Sequence, residues 1–417
     1  MGKTVLSIAG TDFYINGKKV YEEIQDSRPE AHGLLMNARF IQGIFDDSEQ
    51  PERFNRFGRT FDPEQNTDDL IAALPEWYAH GLRAFTVGLQ GGGPCFTLFN
   101  EKLNNNPFDE DGTVFDPAYA ARLDRLIRAA DEIGMVVIVC FFYFFQAERL
   151  RNGRAVLEAT RAASRFLKQG GYTNVIIEIA NEHDLTKKHS LLEFPEGIVT
   201  LMEMAKQESG GMLVGCSSTA PGISEQIAEE SDIVFYHGNG RTRQQYYNDV
   251  RQLRSLAPDK PILCNEDSQA LGNLEVAFRE HTSWGYYNNL TKQEPPTDWG
   301  ITEGEDRFFA YRMAKTIGIT LPEIPFEEQY YLQGLEKEIT VDGKRWIRLA
   351  SVYPETIDYV EFYRNDELEH LGYDEPFFIN FVFNWYQSPV LEQPGDKEWK
   401  AVIHLKSGEV LEKIVHL

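Results

Sequence analysis

Two short apolar runs in this sequence end in carboxylates. Val175-Ile-Ile-Glu178-Ile-Ala180 leads into Asn181-Glu182, and Pro261-Ile-Leu-Cys264 leads into Asn265-Glu266-Asp267. Two carboxylic acids brought face to face can divide acid and base work, one keeping its proton while the other stays ionised. Placed across a glycosidic bond, one protonates the departing oxygen and the other attacks the anomeric carbon. Retention of configuration needs about 5–5.5 Å between them. An Asn-Glu dipeptide by itself reads far more readily as a surface loop. Its position after an apolar run, matched by a second run ending in Glu, makes the pair the strongest chemical signal in the chain.

Elements able to bring these residues together are visible from residue 33 to 320, where β-branched apolar runs alternate with amphipathic stretches, the pattern of βαβ units around a parallel sheet. The strands read Leu34–Ile44, Ala84–Leu89, Met135–Phe142, Val175–Ala180, Met212–Cys216, Ile233–Tyr236, Ile262–Cys264 and Thr282–Tyr287. Eight is the number for a closed (β/α)8 TIM barrel. Helical patterns cover Asp68–His80, Pro117–Ile133, Ala155–Gln169, Gly197–Gln207, Thr242–Leu256 and Asp306–Ile317, with Asp116-Pro117 as a start signal and Gly81, Gly134 and Gly170-Gly171 as stops. Period-2 alternation on the fourth strand turns Ile176, Glu178, Ala180 and Glu182 toward the barrel axis. Glu182 then stands at the mouth and Glu178 a layer below, where a paired structural carboxylate is the expected role.

Residues 1–30 carry Asp12–Tyr21, alternating around Asn16-Gly17, a hairpin expected to cap the bottom of a barrel spanning 31–325. Over 328–417 the helical period disappears. Strand-like runs at Glu338–Val341, Trp346–Ala350, Tyr359–Tyr363, Phe377–Phe383, Lys400–His404 and Val410–Val415 predict a C-terminal antiparallel β-sandwich. The join near Leu321–Gln329 is short and holds two prolines, so the second domain is expected to be docked.

With these elements in place, the chain resembles the clan-A retaining glycoside hydrolases across nearly the whole barrel. In that clan the Glu of an Asn-Glu pair ending strand four is the acid/base, the Asn binds the sugar 2-hydroxyl, and a Glu ending strand seven is the nucleophile. The resemblance assigns these roles to Glu182, Asn181 and Glu266. Ser283-Trp284-Gly285-Tyr286-Tyr287 looks like the clan's strand eight, where Trp284 would floor the sugar subsite. His237 resembles the position that steadies substrate or nucleophile, with Asn239 where the clan often has Tyr; Tyr236 or Tyr286 could substitute. Thr86 stands where many members carry an Arg beside the nucleophile, and Arg39 on the first strand is the candidate replacement. Trp299 is a candidate stacking platform. The segment from Tyr359 to Phe378 resembles, more weakly, the immunoglobulin-like modules appended to secreted polysaccharide hydrolases. A non-catalytic carbohydrate-binding barrel is the alternative.

Composition narrows the partners. The 417 residues are 42% hydrophobic and 25% charged, which suits a folded chain of two domains. A net charge of −24 repels nucleic acid and anionic membrane surfaces but not a neutral carbohydrate. No stretch is long enough to span a bilayer. The N-terminus lacks a secretory h-region, which fits either a cytoplasmic protein or, the favoured reading, a secreted or periplasmic one whose leader has been trimmed. Cys95, Cys140, Cys216 and Cys264 form no CxxC pair, and neither His-x-His nor H-E-x-x-H occurs, so no metal site is expected. The chemistry calls for no cofactor. Gly91-Gly92-Gly93-Pro94 lacks the Lys-Ser/Thr of a phosphate loop and is expected to hug the site. The run Phe141–Gln146 reads mainly as core, with Tyr143 and Gln146 placed where a sugar could be met.

Overall fold

Parallel strands require a crossover between each successive pair, and a helix supplies one every time. The computed structural model describes residues 2–94, 96–97, 103–219, 222, 224–268, 270–336, 339–383 and 386–417. Its central sheet contains β1 (Asn37–Arg39), β2 (Ala84–Gly88), β3 (Val136–Tyr143), β4 (Val175–Asn181), β5 (Leu213–Gly215), β6 (Val234–His237), β7 (Ile262–Ser268) and β8 (Gly285–Tyr287). The strand order is β5-β4-β3-β2-β1-β8-β7-β6, every pairing parallel. At the remaining seam between β5 and β6, Asp232 N–H donates to Val214 O at 2.8 Å and Val214 N–H to Asp232 Oδ2 at 2.9 Å. The result is a (β/α)8 barrel.

Helices α1 (Pro63–Ala79), α2 (Pro117–Ile133), α3 (Gly153–Gly170), α4 (Pro195–Ser209), α5 (Glu225–Glu230), α6 (Arg243–Leu256), α7 (Gly272–Arg279) and α8 (Glu305–Ile317) surround it. Side chains explain several of their starts. Asp62 and Asp116 each accept two backbone N–H bonds ahead of a proline, and Thr242 with Gln245 forms a capping box. Gly134, at φ 93°, closes α2 in a conformation that disfavours any residue with a Cβ. The sequence did not reveal α5 or α7; α7 has no side-chain cap.

The first strand is shorter than expected. Pairing stops at Arg39, and Gly43 N–H already turns back to Phe40 O at 2.8 Å, so Phe40, Ile44 and Phe45 are buried in loop structure. An apolar run reports burial and not extension. At the other mouth, Leu6–Ala9 pairs with Asp12–Ile15, and Asn16 and Gly17 both take positive φ in the tight turn. This hairpin region is tied to the N-terminal ends of barrel strands by Thr4 N–H to Asp131, Leu6 N–H to Thr173 O and Tyr21 Oη to Gly81 O.

The C-terminal part is an antiparallel sandwich. Its largest sheet runs Glu367–Gly372, Ile357–Arg364, Glu398–Leu405, Val410–His416. Leu332, Leu349, Val360, Phe362, Ile379, Trp399 and Ile403 fill its core. Here the expected elements need correction. Trp346–Ala350 is not one strand. Lys344–Arg345 pairs with Val390–Leu391, whereas Arg348–Ser351 pairs with Tyr330–Gln333, so the chain changes sheets between them. Of the run expected at 338–341, Glu338 lies outside the described residues and Val341 makes only an isolated bridge to Lys344. Cys95 also lies outside them; Cys140, Cys216 and Cys264 are buried free thiols. Against the barrel, Arg348 pairs with Glu305 at 3.2 Å, Arg312 donates to Val352 O, and Glu375 accepts Gly272 N–H. No helix among the described residues is long and apolar enough to cross a membrane.

The loop after β8 is fastened by one fully buried ion pair, Lys292 Nζ to Asp306 Oδ2 at 2.7 Å. Asp306 also accepts from Tyr286 at 2.6 Å, Asn288 at 2.9 Å and Thr302 at 2.6 Å. Removing one partner of a buried pair strands the other charge. Lys292→Ala is therefore expected to lower the unfolding free energy by about 3–5 kcal/mol, read from urea denaturation. A change below about 1 kcal/mol would mean the pair is not the fastening.

Candidate active site

The carboxylates singled out in the sequence meet at the C-terminal mouth of the barrel, each aimed there by a local irregularity. Glu182 follows β4 with φ 43°, a left-handed backbone that is uncommon outside glycine and turns both Asn181 and Glu182 into the cleft. On β7 the register shifts between Cys264 and Glu266. Asn265 is the extra residue of this bulge. Cys264 packs outward near Tyr246, Asn265 reaches inward to Glu178 at 3.1 Å, and the bulge lets Glu266 face inward as well.

His237, at the end of β6, sits between them. Its Nδ1 is 3.0 Å from Glu182 Oε1 and 3.6 Å from Glu266 Oε2. Arg39 on β1 approaches from the other side. Its Nε lies 2.7 Å from Glu266 Oε2, a close ion pair without an aligned hydrogen bond, while Nη2 donates to Asn181 Oδ1. Asn239 Nδ2 donates to Glu266 Oε1 at 2.7 Å, and Ser268 N–H pins Asn239 Oδ1 at 3.0 Å. Glu182 and Glu266 are 9% and 7% exposed and open onto a cavity of about 410 Å³.

The surroundings push the two acids apart. Burial raises the Glu182 carboxyl above its ordinary range and the charge on Glu266 adds to this, against the hydrogen bond from His237. Burial opposes ionisation of Glu266 too, but Arg39, His237 and Asn239 outweigh it and hold this carboxyl low. For His237 burial favours the neutral ring, yet Glu266 and Glu182 together raise its pKa, so the imidazolium can donate from Nδ1 to Glu182. The surroundings therefore favour the proton on Glu182 and the charge on Glu266.

Among the described residues, Glu182, His237 and Glu266 are also the one group of three whose ligand atoms lie within 4.8 Å of one another. They suit a metal poorly. Glu266 has both oxygens engaged by Arg39 and Asn239, and a divalent ion would arrive against the charges of Arg39 and a protonated His237.

Not every expected residue reaches the cleft. Trp284 and Tyr286 are buried outside the barrel wall: Trp284 Nε1 donates to Asp267 Oδ2 at 2.8 Å, and Tyr286 stacks on Phe309 of α8 at 4.3 Å. Gly285 and Tyr287 take the inward phase, and Tyr287 lines the cavity with the Arg39 guanidinium 5.6 Å from its ring centre. The assignment to Trp284 and Tyr286 is thus one residue out of phase. Trp299 is no platform either. Its ring is 2% exposed, edge-on to Phe40 at 5.5 Å, with Nε1 bonded to Asn66. Tyr236 does not substitute near Glu266 because its hydroxyl donates to Asp249 at 2.7 Å.

Tyr143 lines the cavity and stacks on Phe144 at 4.3 Å, whereas Gln146 is buried and donates to Leu103 O. Gly92 packs so closely on Tyr143 that a Cβ there would meet its ring at 2.6 Å, which places the glycine loop against the site. Phe144, Phe145, Leu185, Asn289 and Gln293 complete the lining. Their one sequence signal is location just after strands β3, β4 and β8, the end at which barrel sites form.

No protein-family model matches this chain, and no curated protein matches it by sequence. Its fold is shared with solved glycoside hydrolase barrels. A candidate glycoside hydrolase from Bacteroides vulgatus superposes with TM-score 0.51 at 12% identity, covering 99% of this chain and 76% of that one. The β-1,4-D-mannanase of Cryptopygus antarcticus gives 0.48 at 14% identity over 74% and 94% of the two chains. A Bacteroides uniformis beta-glucuronidase gives 0.45 at 11% identity over 99% of this chain and 48% of its own, so this chain spans about half of that enzyme. At such identities the likeness is one of architecture.

Arg39→Met removes the charge nearest Glu266. The Glu266 carboxyl is expected to titrate at higher pH than in wild type, followed by carboxyl-carbon NMR in selectively labelled protein. A titration that stays in place would show that Arg39 does not set its ionisation.

Proposed function

We propose that this chain is a retaining glycoside hydrolase acting on an oligo- or polysaccharide, with Glu182 as acid/base and Glu266 as nucleophile, in the manner of the clan-A enzymes. The observation that carries the reading is the approach of a Glu182 oxygen and a Glu266 oxygen to within 4.8 Å at the floor of an open cleft, one acid held up and the other held down in pKa. That separation suits double displacement, which needs no room for a water between the carboxyls. Ionised Glu266 attacks the anomeric carbon as Glu182 passes its proton to the departing oxygen, giving a glycosyl ester and a free alcohol. Glu182, now a carboxylate, takes a proton from water. The hydroxide equivalent displaces Glu266 and restores both groups. Asn181, held by Arg39, presents an amide to a sugar hydroxyl. Tyr143, Phe144 and Tyr287 offer ring surface to the C–H faces of a pyranose.

The ionisation states fix the pH dependence. Activity needs Glu266 ionised and Glu182 protonated, so kcat/KM is expected to follow a bell. Its acid limb, set by Glu266, lies below the ordinary glutamate range; its basic limb, set by Glu182, lies above it. Glu266→Gln is expected to lose at least about a thousandfold in kcat on aryl β-glycosides. Glu182→Gln should lose about 100- to 10,000-fold on glycosides with poor leaving groups, and far less on dinitrophenyl glycosides, which depart without protonation. Azide added to Glu266→Gly should yield a glycosyl azide of inverted configuration. Equal turnover by wild type and both Gln variants would reject the roles. Binding of oligosaccharide without turnover by wild type would favour the carbohydrate-binding barrel.

A further inference from the structure

We infer that Glu178, buried one layer beneath the mouth, is a positioning residue that sets the placement of both reacting carboxylates and the charge of the His237 imidazole between them; the inference rests on the hydrolase reading above. It has no solvent exposure, and both of its oxygens are used. Oε1 accepts from Ser217 Oγ at 2.6 Å and Oε2 from Asn265 Nδ2 at 3.1 Å. Each contact leads to one catalytic group.

Ser217 follows β5, and while its hydroxyl donates to Glu178 it accepts the backbone N–H of Glu182 at 3.1 Å. Its carbonyl takes the next N–H, from His183, at 3.1 Å. This clamp falls on the residue whose backbone is left-handed, φ 43°. A non-glycine residue stays in that region only where its surroundings hold it there. Asn265, the other contact, is the bulge residue immediately before Glu266. Holding its side chain inward fixes the kink that lets Glu266 face the cleft.

A third relation is electrostatic. His237 Nε2 lies 3.9 Å from Glu178 Oε1 and has no hydrogen-bond partner among the described residues, while Nδ1 faces Glu182 and Glu266. The charged groups around this imidazole are Glu178 and Glu182 from β4, Glu266 from β7 and Arg39 from β1. The Cys140 and Cys216 thiols beside Glu178 are pushed well up by burial and stay neutral. A carboxylate at Glu178 thus favours the imidazolium that donates to Glu182. Simple packing does not call for it, because an apolar side chain of similar volume fills such a position without the desolvation cost.

Glu178→Gln keeps the shape and removes the charge; Ser217→Ala removes the acceptor of the Glu182 N–H. Both are compared with Ile177→Val, which loosens packing on the same strand without touching this network. On an aryl β-glycoside that the wild type hydrolyses, Glu178→Gln and Ser217→Ala are expected to lower kcat at least about tenfold with KM within about threefold, while Ile177→Val leaves both near wild type. Imidazole-nitrogen NMR of His237 does not depend on turnover and should titrate at lower pH in Glu178→Gln than in wild type or Ile177→Val. If His237 titrates unchanged in Glu178→Gln, or if kcat in both network variants stays within about twofold of wild type, the positioning role is overturned. A wild type that cleaves no glycoside overturns the hydrolase reading instead, and the His237 titration then decides the role of Glu178 alone.

Discussion

A guanidinium cannot be buried in a barrel without partners, and the demand made by Arg39 organises the whole mouth. The side chain is 1% exposed, and its neighbours are the negative groups it requires: Glu266 directly and Glu178 at longer range, with Asn181 as an acceptor. Burial works against the charge on Arg39, but the two carboxylates raise its pKa further, so it stays a cation. Glu266 is thereby committed to ionisation. Its negative charge in turn raises the pKa values of His237 and Glu182. The two chemically identical side chains are pushed in opposite directions because burial dominates at Glu182 while Arg39, His237 and Asn239 outweigh it at Glu266.

The scaffold keeps that charge in place by treating its two ends differently. At the N-terminal mouth the hairpin region and Tyr21 bond to backbone between barrel elements, at the end opposite the paired carboxylates. At the C-terminal mouth the loops are fastened individually. Lys292 and Asp306 hold the turn after β8, Gln42 and Gln293 bond to Gly92 and Gly93, and Arg56 pairs with buried Glu294 at 3.1 Å. The glutamine and arginine contacts join loops from different strands, whereas the Lys292–Asp306 pair closes the connection from β8 to α8 on itself. The sandwich lies against α7 and α8, contributing Arg348 to a buried pair with Glu305 on α8, and its Trp346 and Phe378 pack on Leu290 of the loop after β8. Its contact with the barrel therefore takes in both the helical shell and a loop of the C-terminal mouth.

How much of this was legible in the sequence depended on whether local geometry was regular. All eight barrel strands were recognisable because βαβ units impose long apolar runs separated by amphipathic ones, and Pro117–Ile133 matched to the residue because a capping Asp, a proline and a terminal glycine mark its ends. Glu182 and Glu266 stood out because they end such runs. The aromatic residues did not. Whether Tyr286 or Tyr287 faces the axis is a matter of phase in a three-residue strand, and a resemblance supplies residue types more reliably than phase. Trp299 lies in a polar stretch of sequence, yet its ring is held by Phe40 and Asn66, residues more than two hundred positions earlier, a packing that composition does not encode. In the sandwich, the switch of sheet between Arg345 and Arg348 defeats a reading that treats each β-rich run as one strand.

The same contrast explains why the partners of Glu266 looked deficient in sequence and are complete in space. With Thr86 in place of an arginine on the second strand, the cation comes from the adjacent first strand. Arg39 and Thr86 are register partners across β1 and β2, so a charge moved between neighbouring strands still enters the barrel at the same level. Where the clan this chain resembles often has a tyrosine, Asn239 supplies Glu266 with an amide N–H whose direction is fixed by the Ser268 bond to its oxygen. An amide cannot lose its proton to the carboxylate, so this donor stabilises the ionised form without competing for it. The chemistry needs a cation and a donor at defined points around Glu266, and a closed sheet offers more than one strand from which to supply each.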